Sequence, residues 1–208
     1  MRTLPSPLLA VTDRHGLSRP LADIVQAVLD GGARWIWFRD RDLEPEVRQQ
    51  LGVDIAARTR AAGAFLTVGG DVALARALGA DGVHLGGGSE LETIAAARAI
   101  LGPGALIGVS THTSAEVQKV ATAGADYVTL SPIFPTASKP GYGPALGPEG
   151  IAASLRAGLP VVALGGVTVD RIPECRDAGA ACIAVMGGLM RTANPATAAR
   201  AFLTACAA

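Results

Sequence analysis

The 208-residue chain balances 18 basic against 18 acidic residues, and half of it is hydrophobic while only 4% is aromatic. Balanced charge offers no field of one sign to nucleic acid or an anionic membrane, which leaves a small molecule as the expected partner. The length suits one core, a single domain over residues 1–208, and the wealth of Ala, Val, Leu and Gly suits helices packed closely on a parallel sheet.

The opening "MRTLPSPLLAVTDRHG" holds an apolar run too short for a signal segment or a membrane span, so a cytoplasmic protein is expected. Within it "LLAVTD", from Leu8, reads as the first strand, and "LADIVQAVLD" as the first helix. A phrase then recurs: Gly32, Gly63, Gly79, Gly104, Gly124 and Gly179 each begin a Gly-Ala step, with "GLPVVAL" from Gly158 as a variant. Each glycine reads as the cap of the preceding helix, and the β-formers after it as the next strand. Strands are thus expected at Leu8, Trp35, Phe65, Gly82, Leu106, Tyr127, Val161 and Cys182, and the last helix at "PATAARAFLTACA" from Pro195. Eight βα units in this length predict an α/β chain folded as a (β/α)8 TIM barrel. A doubly wound open sheet competes with it but is weaker, because no G-x-G-x-x-G follows the first strand. Cys175, Cys182 and Cys206 make no C-x-x-C pair and have no His cluster beside them, so they are expected to be small buried hydrophobes in a reducing compartment.

Barrels display their chemistry at the C-terminal ends of the strands. Gly165 and Gly166 after the seventh strand, with Met186 and Gly187 after the eighth, form the expected phosphate site; alternatively the glycines only permit tight turns. The loop after the sixth strand, about fifteen residues long, carries Thr136, Ser138 and Lys139 between prolines and glycines able to hinge a lid. Lys139 is either the partner of a substrate anion or a solvated lysine. Arg39 and Arg41, two apart at the second strand end, face one side and suit phosphate or carboxylate, unless Arg39 pairs with Asp13. His112, past the fifth strand, is the candidate general acid or base, or else a hydrogen-bonding residue behind the site. Thr113 is positioned to cap the helix after it. His84 is expected to be buried and hydrogen-bonded, and His15 to lie in a loop.

Taken together, "LLAVTD", "FRDRD", "GADGVHLG", "IGVSTH", "GADYVTLSPIFPTASK", "PVVALGGV" and "AGAACIAVMGG" resemble the thiamin phosphate synthase and TenI-like superfamily, in order and over nearly the whole chain. The resemblance implies a barrel that binds thiazole phosphate on the glycines after strands seven and eight. Thr136, Ser138 and Lys139 match positions that contact ligand phosphates, and Ser110 matches one at the pyrimidine end of the pocket. In the synthases it also implies Mg²⁺ on two aspartates. Gly69-Gly70 stands where the Asn-Asp pair after strand three is expected, Ser89 where the second aspartate is, and Trp37 where a Gln precedes the strand-two Leu-Arg. Glycine supplies no hard oxygen ligand, although Asp71 is one residue away.

The leading expectation is therefore a metal-independent TenI-like thiazole tautomerase with no cofactor, in which His112 moves the proton and Ser110 or Thr111 orients it. The alternative is a Mg²⁺-dependent thiamin phosphate synthase joining hydroxymethylpyrimidine pyrophosphate to thiazole phosphate. A barrel that binds a phosphorylated ligand without turnover is the third. The Ala-rich outer helices permit a homodimer.

Overall fold

The computed structural model describes residues 2–88, 91–136 and 144–207. Eight strands, β1 (Leu8–Val11), β2 (Trp35–Phe38), β3 (Phe65–Gly69), β4 (Gly82–Leu85), β5 (Leu106–Thr111), β6 (Tyr127–Leu130), β7 (Val161–Leu164) and β8 (Cys182–Val185), begin at the expected residues. They close in sequence order, all parallel, with Leu8 opposite Ile183 where β8 meets β1. The helices α1 (Leu21–Asp30), α2 (Pro45–Ala61), α3 (Val72–Ala77), α4 (Leu91–Leu101), α5 (Ser114–Thr122), α6 (Gly147–Ser154), α7 (Ile172–Asp177), α8 (Gly187–Met190) and α9 (Pro195–Ala207) alternate with the strands, α8 being a short extra turn. None of the helices among the described residues is long and apolar enough to cross a membrane.

The Gly-Ala phrase has a local cause. At Gly63 (φ 61°) the chain reverses after α2, and the Ala64 N–H returns to the Thr59 carbonyl at 3.0 Å, a Schellman closure that satisfies the helix end and aims the chain into the next strand. The same return bond joins Ala33 to Val28, Ala80 to Ala75, Ala125 to Val120 and Ala180 to Cys175. In the fifth unit the left-handed residue is Gly102 rather than Gly104, a correction to the expected cap.

The strands read as continuous apolar runs because both of their faces are buried. Leu8, Ile36, Val68, Val83 and Ile107 pack outward beneath the helices, whereas Leu9, Trp35, Leu106, Tyr127 and Val162 fill the barrel. Inside, the Trp35 and Tyr127 rings meet edge to face, with centroids 5.0 Å apart. A side chain at Gly108 would overlap the Tyr127 ring, so that glycine makes room for the phenol. Cys175 and Cys182 are buried as expected, but Cys206 is only half-buried because it lies near the end of α9.

Candidate active site

Above the packed interior, at the C-terminal ends of the strands, a cavity of about 800 Å³ opens. Gly165, Gly166, Met186 and Gly187 line it at β7 and β8, Arg39 reaches toward Met186, Arg41 reaches toward the ends of β3 and β4, and Ser110 and Thr136 are also on its wall. Eight of the expected site residues are thus brought together. Ser138, Lys139 and Ser89 lie outside the described residues.

The glycine side is built by close approach. Gly165 (φ 94°) and Gly166 (φ 67°) hold left-handed conformations, and a Cβ on Gly166 would stand 2.5 Å from the Pro135 carbonyl oxygen and 2.7 Å from that of Phe134. Those glycines therefore let the loop after β6 pack against the end of β7, while their backbone faces the cavity. Beside Gly187 lies Arg191, which donates a charge-assisted hydrogen bond to Asp13. Burial pushes the Asp13 carboxyl up, but bonds from His15 and Arg191 outweigh it and leave the pKa below the ordinary carboxylate value. Asp13 thus belongs to Arg191 and His15, not to Arg39, whose Nη1 instead lies 4.0 Å from the Met186 sulfur.

The mouth at β2 and β3 answers what the bare end of β3 is for. Trp37, 2% exposed, lies over His84 with ring centroids 3.9 Å apart, and a Cβ on Gly69 would stand 2.9 Å from its Nε1. At Gly70 (φ 69°) a Cβ would stand 2.9 Å from Nη1 of Arg41. Both absent side chains are thus replaced by side chains from the neighbouring strand end. The Trp37 Nε1 is buried without a hydrogen-bond partner among the described residues, so this wall holds one unsatisfied donor.

Asp71 does not substitute for a missing carboxylate at residue 70. Its Oδ1 caps α3 by accepting from the Leu74 N–H at 2.9 Å, and its Oδ2 pairs with Arg48 at 3.2 Å. Arg48, almost fully buried, also donates to the Gly69 carbonyl at 2.7 Å, tying the end of β3 to α2. Elsewhere among the described residues, Asp13, His15 and Asp40 offer ligand atoms within 4.8 Å of one another. Asp40, however, accepts from the Thr12 hydroxyl at 2.5 Å and the Arg14 N–H at 2.8 Å, and Asp13 is held by Arg191. Mg²⁺ favours carboxylate oxygens with open coordination, so the residues described after β3 do not fit that ion.

His112 lies beyond β5 and is not among the described residues that line the cavity. Its Nδ1 donates to the Ser131 carbonyl at 2.7 Å, and its backbone N–H donates to Glu116 at 2.6 Å. Thr113 caps α5 as expected, accepting from the Glu116 N–H at 3.1 Å. Neither Ser110 nor Thr111 orients His112, which corrects the expected pairing. Thr111 turns outward and donates to the Thr129 carbonyl, whereas Ser110 turns inward to His84 Nε2 at 3.0 Å. Strand alternation decides this, since adjacent residues of β5 face opposite sides of the sheet.

His84 is buried and hydrogen-bonded as expected, and the structure supplies the partners that the sequence did not name. Fully buried, it joins the Tyr127 hydroxyl (2.9 Å) to Ser110 through opposite ring nitrogens, with Thr129 Oγ1 3.2 Å from Nε2. Burial first, and then the charge of Arg41, push its pKa down to about 3, so the ring is neutral near pH 7. The same burial pushes the Tyr127 hydroxyl above its ordinary value. A histidine alternating with apolar residues in β4 was the available signal, but its partners lie on β5 and β6.

The family described as thiamine monophosphate synthase matches residues 8–189 of the chain. A thiamine-phosphate synthase of Roseiflexus castenholzii is 40% identical over 195 residues, covering 92% of this chain and 84% of that protein. One of Xanthomonas campestris pv. campestris is 39% identical over 169 residues, covering 81% and 80%. Among solved structures, a thiamine phosphate pyrophosphorylase from Pyrococcus furiosus superposes with a TM-score of 0.85 at 29% identity, covering 96% of this chain and 95% of that one.

Proposed function

The chain belongs to the thiamine monophosphate synthase family, and from that premise we propose that it is a cytoplasmic transferase of the thiamin phosphate synthase type, acting as one barrel domain over residues 1–208. The observation that carries the reading is one cavity lined both by glycine backbone at β7 and β8 and by two arginines after β2, with Arg39 reaching Met186 and Arg41 reaching the ends of β3 and β4. Two phosphorylated substrates need two sets of anion-binding groups, and a thiazole phosphate alone needs one. Thiazole phosphate is assigned to Gly165, Gly166, Met186 and Gly187 with Thr136, and, through the family resemblance, to Ser138 and Lys139. The pyrophosphate is assigned to Arg39 and Arg41, and Ser110 to the pyrimidine end. In the transfer, the bond from the pyrimidine's methylene carbon to the pyrophosphate oxygen breaks with its electron pair on oxygen. The thiazole nitrogen's pair makes the new C–N bond. Enclosure in the cavity holds the two reactants at attack distance, where proximity replaces an encounter in solution.

The relatives carry synthase names, so they support this transferase over the expected tautomerase. One observation keeps the tautomerase as a second reading. The hydrogen bond to the Ser131 carbonyl fixes a proton on His112 Nδ1, which in the neutral ring makes Nε2 the basic nitrogen.

The test is a paired assay of the purified protein. Hydroxymethylpyrimidine pyrophosphate and thiazole phosphate are supplied with and without Mg²⁺, and the carboxythiazole phosphate tautomer is supplied alone. Thiamin phosphate formation is expected; isomerisation without thiamin phosphate would establish the second reading instead.

A further inference from the structure

Arg41 occupies the space that a metal-binding side chain after β3 would need. Its Nη1 would stand 2.9 Å from a Cβ on Gly70 and 3.5 Å from one on Gly86, so the guanidinium bridges the ends of β3 and β4. Arg41 is open to solvent at the mouth, and it lines the cavity together with Arg39. None of the ion pairs among the described residues includes either arginine.

The charge of Arg41 is felt around it. Partial desolvation by its neighbours, and then the charges of Arg39 and Arg48, push its pKa below the usual arginine value. Of these three cations, only Arg48 has a carboxylate partner among the described residues, Asp71. Arg39 and Arg41, two like charges on the cavity wall that enter no ion pair among the described residues, make a site that an anion completes. A divalent cation brought to the same place would meet a fixed positive charge instead.

We propose that Arg41, with Arg39 beside it, takes the place of a divalent cation and binds the substrate's pyrophosphate group directly, so that this chain holds pyrophosphate without Mg²⁺. The planar guanidinium fork meets two phosphate oxygens at once and keeps its charge at every working pH. As the carbon–oxygen bond of the pyrophosphate ester breaks, the electron pair left on that oxygen is stabilised by the arginine pair. The identity of the anion as a leaving pyrophosphate rests on the transferase reading; the anion site rests on the geometry alone.

Calorimetric titration with sodium pyrophosphate in excess EDTA tests it on the native protein and on Arg41→Ala. Native protein is expected to bind, added Mg²⁺ to give no gain, and Arg41→Ala to bind about tenfold more weakly or worse, the size of one lost charge-assisted contact. Gly70→Asn reads the same site from the other strand, because its side chain meets the guanidinium, and is expected to weaken binding with Arg41 in place. Thermal unfolding of each variant identifies loss of fold. Binding that appears only with Mg²⁺, or that Arg41→Ala leaves unchanged in EDTA, overturns the proposal.

The two readings fail separately. Metal-free pyrophosphate binding that depends on Arg41, with no thiamin phosphate formed, sinks the transferase and keeps the anion site. Thiamin phosphate formed only with Mg²⁺ does the reverse.

Discussion

Gly69-Gly70 and Gly165-Gly166 are the same dipeptide at the ends of two strands of one barrel, yet their surroundings differ in kind. At β7 a side chain would strike backbone, the carbonyls of Phe134 and Pro135, which cannot move without the loop after β6. At β3 it would first strike side chains, the indole of Trp37 at Gly69, with the backbone of Phe38 and Arg39 just behind, and at Gly70 the guanidinium of Arg41. The first pair therefore shapes a main-chain wall. The second pair hands its space to chemistry supplied by β2. Glycine at a strand end does not by itself mean an anion site; what fills the absent Cβ decides.

The largest expected effect comes from emptying the space that β3 gives away. Trp37→Ala removes a buried indole packed on His84 and is expected to cost about 3–5 kcal/mol in urea unfolding. A cost below about 1 kcal/mol would mean that the Trp37 side of the mouth is loosely packed.

A sharper form of the comparison uses two glycines of nearly equal φ, 67° at Gly166 and 69° at Gly70. Alanine at either pays the left-handed penalty of about 1–2 kcal/mol. Gly166→Ala adds a backbone clash and is expected to total about 3 kcal/mol, whereas Gly70→Ala only displaces Arg41 and is expected to stay near the penalty alone. Equal losses would break the distinction between the two ends.

His84 connects the β3 side to the centre of the barrel, and its titration gives a pH test. The folded chain keeps the ring neutral down to about pH 3, whereas the unfolded chain protonates near 6.5. Stability from this group is therefore complete above about pH 6.5 and is lost as pH falls toward 3, by at most about 1.4 kcal/mol per pH unit. Unfolding midpoints between pH 7.5 and 5.5 should fall for the native chain and fall less for His84→Gln. The smallest effect is expected at Ser110→Ala, about 1 kcal/mol, because Thr129 still meets His84 Nε2.

The strand starts were legible because their cause is local. A helix end, a left-handed glycine and a returning alanine N–H lie within about six residues, and each such closure dictates where the next strand begins. The glycine wall at β7 and β8 and the arginine pair after β2 were legible for a related reason, since strand ends in a closed parallel barrel share one face. The partner of Ser110 was not legible. Nearness in the sequence favoured His112, but alternation in β5 sends Ser110 into the barrel, where only the pairing of β4, β5 and β6 brings His84 and Tyr127 to it.

The sequence by itself determined the order of elements, the preference for a closed barrel and which strand-end residues share one face, because short-range capping and the polarity of parallel strands need no knowledge of distant contacts. Only the tertiary structure decided what stands in the space that Gly69 and Gly70 leave empty, why Asp71 is already committed to Arg48, and which hydroxyls hold His84. Those are relations between side chains of neighbouring strands and helices. They are fixed by register and by which residue reaches furthest across a strand end, quantities that no single stretch of sequence contains.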